Sequence, residues 1–387
     1  MRKRFLSSVV AAAAVLSLSV NASAAGLAVS EEELASVTSS DWGYYDMQYR
    51  SNSDGRQQLY DRLKEDYTAF WFSSEDLQLD PYVNRYLLDE ICLSDYGLSP
   101  TEASEVYYTF RKDHPLFYFA SNKNVMMTVT TGSNVSYYLC LVVDDEYAAA
   151  EPREAYRQQI LDYISEKTAG IAGLTDRYDI AKYFHDQICR DAEYAVVYQD
   201  GYQYADNSNS AHNIIGIISE GKGVCESYAK VFQLLLNYAG VKCVFAAGDA
   251  GGSHAWDLVK LDDGRYYNFD VTWDDQYKII YDFFARGSGY FDESHTADSS
   301  DNIGSRFMYD LPDVPVNDYN KDKADRIPVG DVNEDGVVNM HDLTNLQRNL
   351  GGFSERFDRL SADVNSDGRI NMKDIVYLQR LINGYTA

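Results

Sequence analysis

The residues best suited to covalent chemistry in this sequence are a cysteine, a histidine and an aspartate. Cys225 follows the flexible run Gly221–Val224 and opens an apolar pattern with helical spacing that stops at Gly240. A thiol in the first turn of a helix faces unpaired backbone amides and the positive end of the helix dipole, and both favour the thiolate. The sequence therefore predicts a nucleophile at Cys225.

His254 is the natural base for this thiol, and Asp270 is the natural carboxylate to orient the base. Ser253–Leu261 and Arg265–Trp273 alternate in polarity and predict two antiparallel strands. A three-residue turn with Gly264 in the left-handed conformation would make the histidine and the aspartate diagonal neighbours on one face. A two-residue turn would put them on opposite faces, so the triad requires the longer turn.

The N-terminal region, from residue 26 to about 150, carries no recognisable chemistry. Tyr82, Tyr86 and Ile91 have the spacing of one helix face, whereas residues 125–131 and 135–143 read as two strands joined by a turn. We interpret the aromatic residues of this region as packing.

Three sequence blocks around the candidate triad resemble a bacterial transglutaminase-like domain. They are Gly223–Lys230, His254–Val259 and Tyr267–Asp274. The resemblance implies an α+β fold of the papain-like type, in which a catalytic helix packs on an antiparallel sheet. It assigns the family's nucleophile, base and orienting acid to Cys225, His254 and Asp270.

The resemblance also implies acyl transfer through a thioester, on peptide or protein substrates and with no cofactor for catalysis. Water as acceptor would give hydrolysis or glutamine deamidation, and a lysine amine would give a cross-link. We favour a cysteine peptidase-like hydrolase over a cross-linking transglutaminase or deamidase. A non-catalytic adaptor that binds cell-wall or plant polymer through Trp71, Phe72 and the many tyrosines is a further alternative. For the oxyanion we expect the backbone N–H of Cys225, with His212 as the candidate second donor.

The C-terminal part of the chain contains an internal repeat. Asp331–Asp342 recurs 32 residues later as Asp363–Asp374, and a helical apolar pattern follows each copy. Oxygen ligands at loop positions 1, 3, 5, 7, 9 and 12, with a glycine at position 6, are typical of a calcium loop. Two calcium ions are therefore predicted, with the ligands Asp331, Asn333, Asp335, Val337, Asn339, Asp342, Asp363, Asn365, Asp367, Arg369, Asn371 and Asp374.

Two such loops, each ending in Asp and followed by one helix, resemble the type I dockerin, a small all-α module. This resemblance implies binding to a cohesin module of a scaffoldin, and hence attachment to a cellulosome, a polysaccharide-degrading complex. The expected cohesin-binding residues are Met340, His341, Arg348, Met372, Lys373 and Arg380.

The N-terminus has the features of an export signal. Arg2–Arg4 are basic, residues 5–20 are apolar, and Ala22–Ala24 offers a small-residue cleavage site. We expect a secreted, extracellular protein that is not bound to a membrane after cleavage. Its 5 cysteines are too few for a disulfide framework, and because the number is odd at least one thiol stays unpaired.

The formal net charge of −26 argues against a nucleic-acid partner and an anionic membrane surface. The signal carries three positive charges and residues 330–387 a net −3, so the whole −26 belongs to the region between them. Such a surface favours cationic or neutral protein substrates. The predicted domains are a signal peptide at 1–24, an N-terminal α+β accessory region at 25–150, a transglutaminase-like catalytic domain at 151–310, a linker at 311–329 and a dockerin at 330–387.

Overall fold

A computed structural model describes residues 31–298, 309–322, 327–333, 335–353, 357–365 and 370–384. The predicted signal peptide lies outside these residues. Among the helices of these ranges, none has both the length and the apolar character needed to cross a membrane.

The described residues form both helices and strands. The helices are α1 (Glu31–Val37), α2 (Trp42–Asp46), α3 (Ser53–Trp71), α4 (Pro100–Asp113), α5 (Ala150–Ala169), α6 (Arg177–Asp191), α7 (Ile214–Glu220), α8 (Cys225–Tyr238), α9 (Val271–Asp274), α10 (Ser288–Phe291), α11 (Met340–Leu350), α12 (Arg359–Ala362) and α13 (Met372–Ile382). The strands are β1 (Leu79–Asp80), β2 (Arg85–Cys92), β3 (Val125–Thr131), β4 (Asn134–Val143), β5 (Glu193–Tyr194), β6 (Val196–Gln199), β7 (Tyr202–Ala205), β8 (Lys222–Gly223), β9 (Cys243–Asp249), β10 (Ser253–Lys260), β11 (Tyr266–Phe269) and β12 (Thr296–Ala297).

Two four-stranded antiparallel sheets organise the region upstream of the calcium loops. The first has the order β1-β2-β4-β3 and the second the order β11-β10-β9-β12. Strand β5 pairs in parallel with β8, immediately before Cys225, and β6 forms a separate hairpin with β7. The α+β class expected from the sequence is confirmed, with helices at the C-terminus.

The helix predicted from Tyr82, Tyr86 and Ile91 is wrong. Residues 85–92 form strand β2, which pairs with β1 on one side and β4 on the other. A register shift between Leu87 and Glu90 interrupts its alternation, and this irregularity made the spacing look helical.

Helix α8 lies at the centre of the core. Every residue from Ser227 to Tyr238 is buried, and the helix packs against β9 and β10 as well as α6 and α7. The same hydrophobic core continues into the N-terminal region, from Leu34 to Ala285. The Gln233 amide donates to the Lys112 carbonyl at 3.0 Å across the predicted boundary at residue 150. The hydrophobic core is therefore continuous across the predicted boundary at residue 150.

The predicted linker has no helix or strand in its described part, yet it lies against the preceding domain. The Lys321 ammonium contacts Asp179 at 2.6 Å, and the Ile327 amide donates to the Asp262 carbonyl at 2.8 Å. Beyond it, Arg177 and Asp358 form a buried ion pair at 2.7 Å. The C-terminal module thus contacts the domain that precedes it.

Candidate active site

The turn between β10 and β11 sets the position of the histidine relative to the aspartate. Asp257 pairs with Phe269 and Leu258 with Asn268, which is the register of a three-residue turn. Gly264 adopts φ 75°, in the left-handed region that favours glycine. The three-residue turn predicted from the sequence is confirmed.

The predicted strand Arg265–Trp273 is too long. Strand β11 ends at Phe269, and Asp270 caps the short helix α9 instead of continuing the strand. Its Oδ1 accepts hydrogen bonds from the amides of Thr272 at 3.0 Å and Trp273 at 3.1 Å. This cap fixes the Asp270 carboxylate through Oδ1, so its Oδ2 can accept hydrogen bonds from other groups.

His254 lies between the aspartate and the cysteine. Its Nε2 is 2.7 Å from Oδ2 of Asp270. The Cys225 side chain lies close enough to the imidazole to influence its pKa. Burial alone would lower the pKa of His254, but the hydrogen bonds and charges of these two partners raise it to about 10. The imidazole is therefore held in its protonated form beside the thiol.

Cys225 is the first residue of α8 and is only partly buried. It packs against Ala229, Phe245 and Ala255. All five cysteines are free, and Cys92 is the other one with partial exposure. The site thus combines an accessible thiol, a protonated imidazole and a buried carboxylate.

A second histidine contacts the same carboxylate and was not predicted from the sequence. His295 is buried, and its Nε2 lies 3.1 Å from Oδ2 of Asp270. It follows α10, 25 residues beyond Asp270, and no local pattern marks it. The ligand-type atoms of His254, Asp270 and His295 lie within 4.8 Å of one another. Hydrogen bonds among these atoms account for their convergence, and we assign the cluster to hydrogen bonding.

His212 and Tyr194 are the two candidates for the second donor to the oxyanion. His212, the predicted second donor, has its Nδ1 3.0 Å from Oε2 of Glu226, so that carboxylate sets its ring orientation. The Tyr194 hydroxyl lies near Cys225. Burial and the charge of Cys225 raise the pKa of Tyr194, while the backbone N–H of Cys225 lowers it. Tyr194 ends strand β5, whose pairing with β8 brings it to the start of α8. It is 43% exposed, so a ligand can reach this position.

The first calcium loop gathers carboxylates that need a cation. Asp331 and Asp342 are buried, and Gly336 adopts φ 85° at the sharp turn. Burial and the nearby charges of Asp342 and Asp335 raise the pKa of Asp331, although backbone amides partly oppose this. Converging oxygen donors that repel one another are the donor set of a Ca²⁺ site. The residues present therefore fit calcium.

The second loop is described in part. Asp374 is buried, and its Oδ2 accepts from the Asn371 amide at 2.8 Å, as Oδ2 of Asp342 does from Asn339 at the same distance. Asp363 and Asn365 belong to the described residues, whereas the predicted ligands Asp367 and Arg369 lie outside them.

The predicted cohesin-binding residues all lie on the surface at helices α11 and α13. Met340 is 55% exposed and Met372 is 66% exposed, although both are apolar. They occupy equivalent first positions of the two helices. The exposed polar members of the set are His341, Arg348, Lys373 and Arg380.

Comparison with known proteins finds two domains. The profile of the Transglutaminase-like superfamily matches residues 165–271, and that of the Dockerin type I domain matches residues 329–383. The chain contains a transglutaminase-like domain and a type I dockerin domain. Cys225, His254 and Asp270 all fall within the matched transglutaminase-like segment.

Similar solved structures include a TGase, 18% identical over 38% of this chain and 43% of that chain, with a TM-score of 0.25. A candidate cysteine protease from Cytophaga hutchinsonii is 13% identical over 52% of this chain and 70% of that chain, with a TM-score of 0.23. The chain thus spans less than half the length of the TGase. No curated protein matches it.

Proposed function

We propose that the transglutaminase-like domain is a thiol acyl-transfer enzyme with Cys225 as nucleophile, His254 as acid and base, and Asp270 as orienting carboxylate. The observation that carries this proposal is the position of His254. Its Nε2 lies 2.7 Å from Oδ2 of Asp270, and the Cys225 side chain is close enough to the ring to raise its pKa. A buried carboxylate that orients an imidazole beside a nucleophile is the arrangement that acyl transfer requires.

The reaction begins when the Cys225 thiolate attacks the carbonyl carbon of an amide. We assign the oxyanion to the backbone N–H of Cys225 and to the Tyr194 hydroxyl. That hydroxyl lies near the N–H of Cys225, so both could donate to one carbonyl oxygen. Protonated His254 then gives its proton to the leaving amine, and the C–N bond breaks to leave a thioester.

In the second half of the reaction, water loses a proton to His254 and attacks the thioester. The carboxylic acid leaves and the thiol is restored. We favour this hydrolytic, peptidase-like outcome. A lysine amine in place of water would give a cross-link, and the formal charge of −26 would attract such a cationic acceptor. Transglutaminase activity is therefore the second candidate, with deamidation as its hydrolytic counterpart.

The dockerin domain implies binding to a cohesin and association with a cellulosome, typically outside the cell. We propose that its two loops each bind calcium and that the exposed residues of α11 and α13 form the cohesin contact. The predicted signal peptide would deliver the enzyme there. The positions equivalent to Met340-His341 are Met372-Lys373, so a two-fold binding mode would be only partly symmetric.

The non-catalytic adaptor is the weaker alternative. Of the aromatics suggested for polymer binding, Trp71 is only 5% exposed and packs edge-on against Tyr118. Phe72 is 37% exposed. Several tyrosines are more exposed, among them Tyr49 and Tyr82 at 84%, so the expected platform loses its tryptophan and keeps tyrosines.

The test is to incubate the full chain with a protein mixture and a labelled primary amine, followed by mass spectrometry. New termini would show peptidase activity, incorporation of the amine would show transglutamination, and conversion of Gln to Glu would show deamidation. Cys225→Ala should abolish each product, whereas Cys92→Ala serves as the matched control. Absence of all three products with the wild-type protein would overturn the enzymatic proposal.

A further inference from the structure

His295 uses a carboxylate oxygen that already bonds to His254. Oδ2 of Asp270 lies 2.7 Å from Nε2 of His254 and 3.1 Å from Nε2 of His295. An ionised carboxylate only accepts hydrogen bonds, so both nitrogens must carry protons. Asp270 is thus shared between two N–H donors on its Oδ2 and two backbone amides on its Oδ1.

The neighbouring serine accounts for the other side of the His295 ring. Oγ of Ser294 lies 2.8 Å from Nδ1. The hydroxyl has one proton, and the Phe291 carbonyl at 3.4 Å is a more distant acceptor than Nδ1. Donation to Nδ1 leaves the ring proton on Nε2, where it faces Asp270. The two contacts together select the tautomer that donates to the carboxylate.

Aromatic packing holds the ring in place. His295 stacks on Phe291 with ring centres 4.0 Å apart and contacts Trp273 at 4.5 Å and Trp256 at 5.2 Å. The side chain is buried, so rotation of the ring would require these neighbours to move. Such a site keeps the Nε2–H aimed at one atom.

We propose that His295 is a positioning residue that donates to Asp270 and holds this carboxylate ionised and aligned for His254. The inference rests on the proposed function, since it concerns the same triad. His295 has no contact with the thiol among those described. Its ring centre also lies 5.6 Å from that of His254, so packing on the base is the second way in which it could act.

The electrostatics of Asp270 agree with this role. Burial would raise the pKa of Asp270, but the hydrogen bonds from His254 and His295, with the cap amides, hold it below its ordinary value. Other ionisable groups around the cluster are Cys225, Tyr194, Asp257, Asp274 and Asp292. Burial and the charge of Asp270 hold the pKa of Asp257 well above its ordinary value.

Two nearly isosteric substitutions separate donation from packing. His295→Gln keeps an N–H donor at about the reach of Nε2, and His295→Met fills similar space without a donor. We expect His295→Met to lower kcat/KM by about 10- to 100-fold, the usual effect of losing a hydrogen bond to a charged group. The acid limb of its pH profile should move to higher pH, because Asp270 loses a group that stabilises its anion. His295→Gln should recover most of the activity and the wild-type acid limb.

Alkylation of Cys225 by iodoacetamide supplies a readout that needs no substrate. If the wild-type protein turns over no amide, the proposed function fails, and slower alkylation in His295→Met than in His295→Gln would still support the positioning role. Thermal unfolding measures packing separately. Equal losses of activity and of alkylation rate in the two variants, or no loss in either, would overturn the inference.

Discussion

The triad and the first calcium loop both bury carboxylates, but they compensate the charge in different ways. Asp270 receives hydrogen bonds from His254, His295 and two backbone amides, and these hold its pKa below the ordinary value. In the calcium loop, Asp331 has backbone amides as donors but also Asp335 and Asp342 as neighbours, and its pKa is raised. The first site is complete with donors from the protein, whereas the second requires a cation.

The largest expected effect is on the side of the triad. Cys225→Ala should lower turnover by about 10⁴-fold or more, because the nucleophile is lost while oxyanion donors remain. The fold should survive, since the thiol is only partly buried. Product formation measured beside Cys92→Ala checks this. Residual turnover above one-tenth of wild type would show that the chemistry lies elsewhere.

Removal of calcium should affect the dockerin domain strongly and the triad little. Chelation should unfold the dockerin domain and abolish cohesin binding, because its buried carboxylates repel one another without metal. Turnover of a small amide substrate should stay within about twofold, since the triad needs no ion to balance its charge. Circular dichroism, cohesin binding and activity of the full chain are the measurements. Tight cohesin binding in excess chelator, or loss of turnover with it, would contradict the comparison.

The oxyanion assignment predicts a smaller loss. Tyr194→Phe should lower kcat by about 100-fold, as removal of one preorganised donor does elsewhere. Tyr198→Phe, in the adjoining hairpin and 75% exposed, is the matched control and should leave kcat unchanged. His212→Gln tests the donor predicted from the sequence. A larger loss in His212→Gln than in Tyr194→Phe would restore His212 to that role.

The smallest effect concerns stability and pH. His254 has a pKa raised to about 10, against about 6.5 in an unfolded chain. A raised pKa means that the folded state binds the proton more tightly, so this contribution is fully present below about pH 6.5 and is lost as the pH rises to about 10. Urea unfolding at pH 6.5 and pH 10 should show a larger loss of free energy in wild type than in His254→Gln. Equal losses would mean that His254 is not held protonated.

Local patterns predicted the parts of the site that lie on regular elements. The helix that begins at Cys225 and the three-residue turn that brings His254 to Asp270 both follow from spacing and from one glycine. The end of β11 was missed, because Val271–Trp273 has the pattern of a strand. These residues begin a helix instead, since the side chain of Asp270 caps their backbone amides. Strand β2 was also missed, because a register shift between Leu87 and Glu90 interrupts its alternation.

Residues that reach the site from distant loops could not be predicted. His295 follows Asp270 by 25 residues, and the packing of Phe291 on Trp256 together with the pairing of β12 with β9 brings it back. Tyr194 reaches Cys225 through a two-residue parallel pairing that no alternation signals. The ligands of each calcium site, by contrast, lie within one short loop, so their spacing in the sequence is enough to predict that they converge.

The most direct test of the central claim compares the reactivity of two thiols in one protein. Cys225 and Cys92 are both partly exposed, but only Cys225 adjoins a protonated imidazole. At pH 6, iodoacetamide should alkylate Cys225 at least about tenfold faster than Cys92, and His254→Gln should remove the difference. Equal rates for the two cysteines in the wild-type protein would contradict the account.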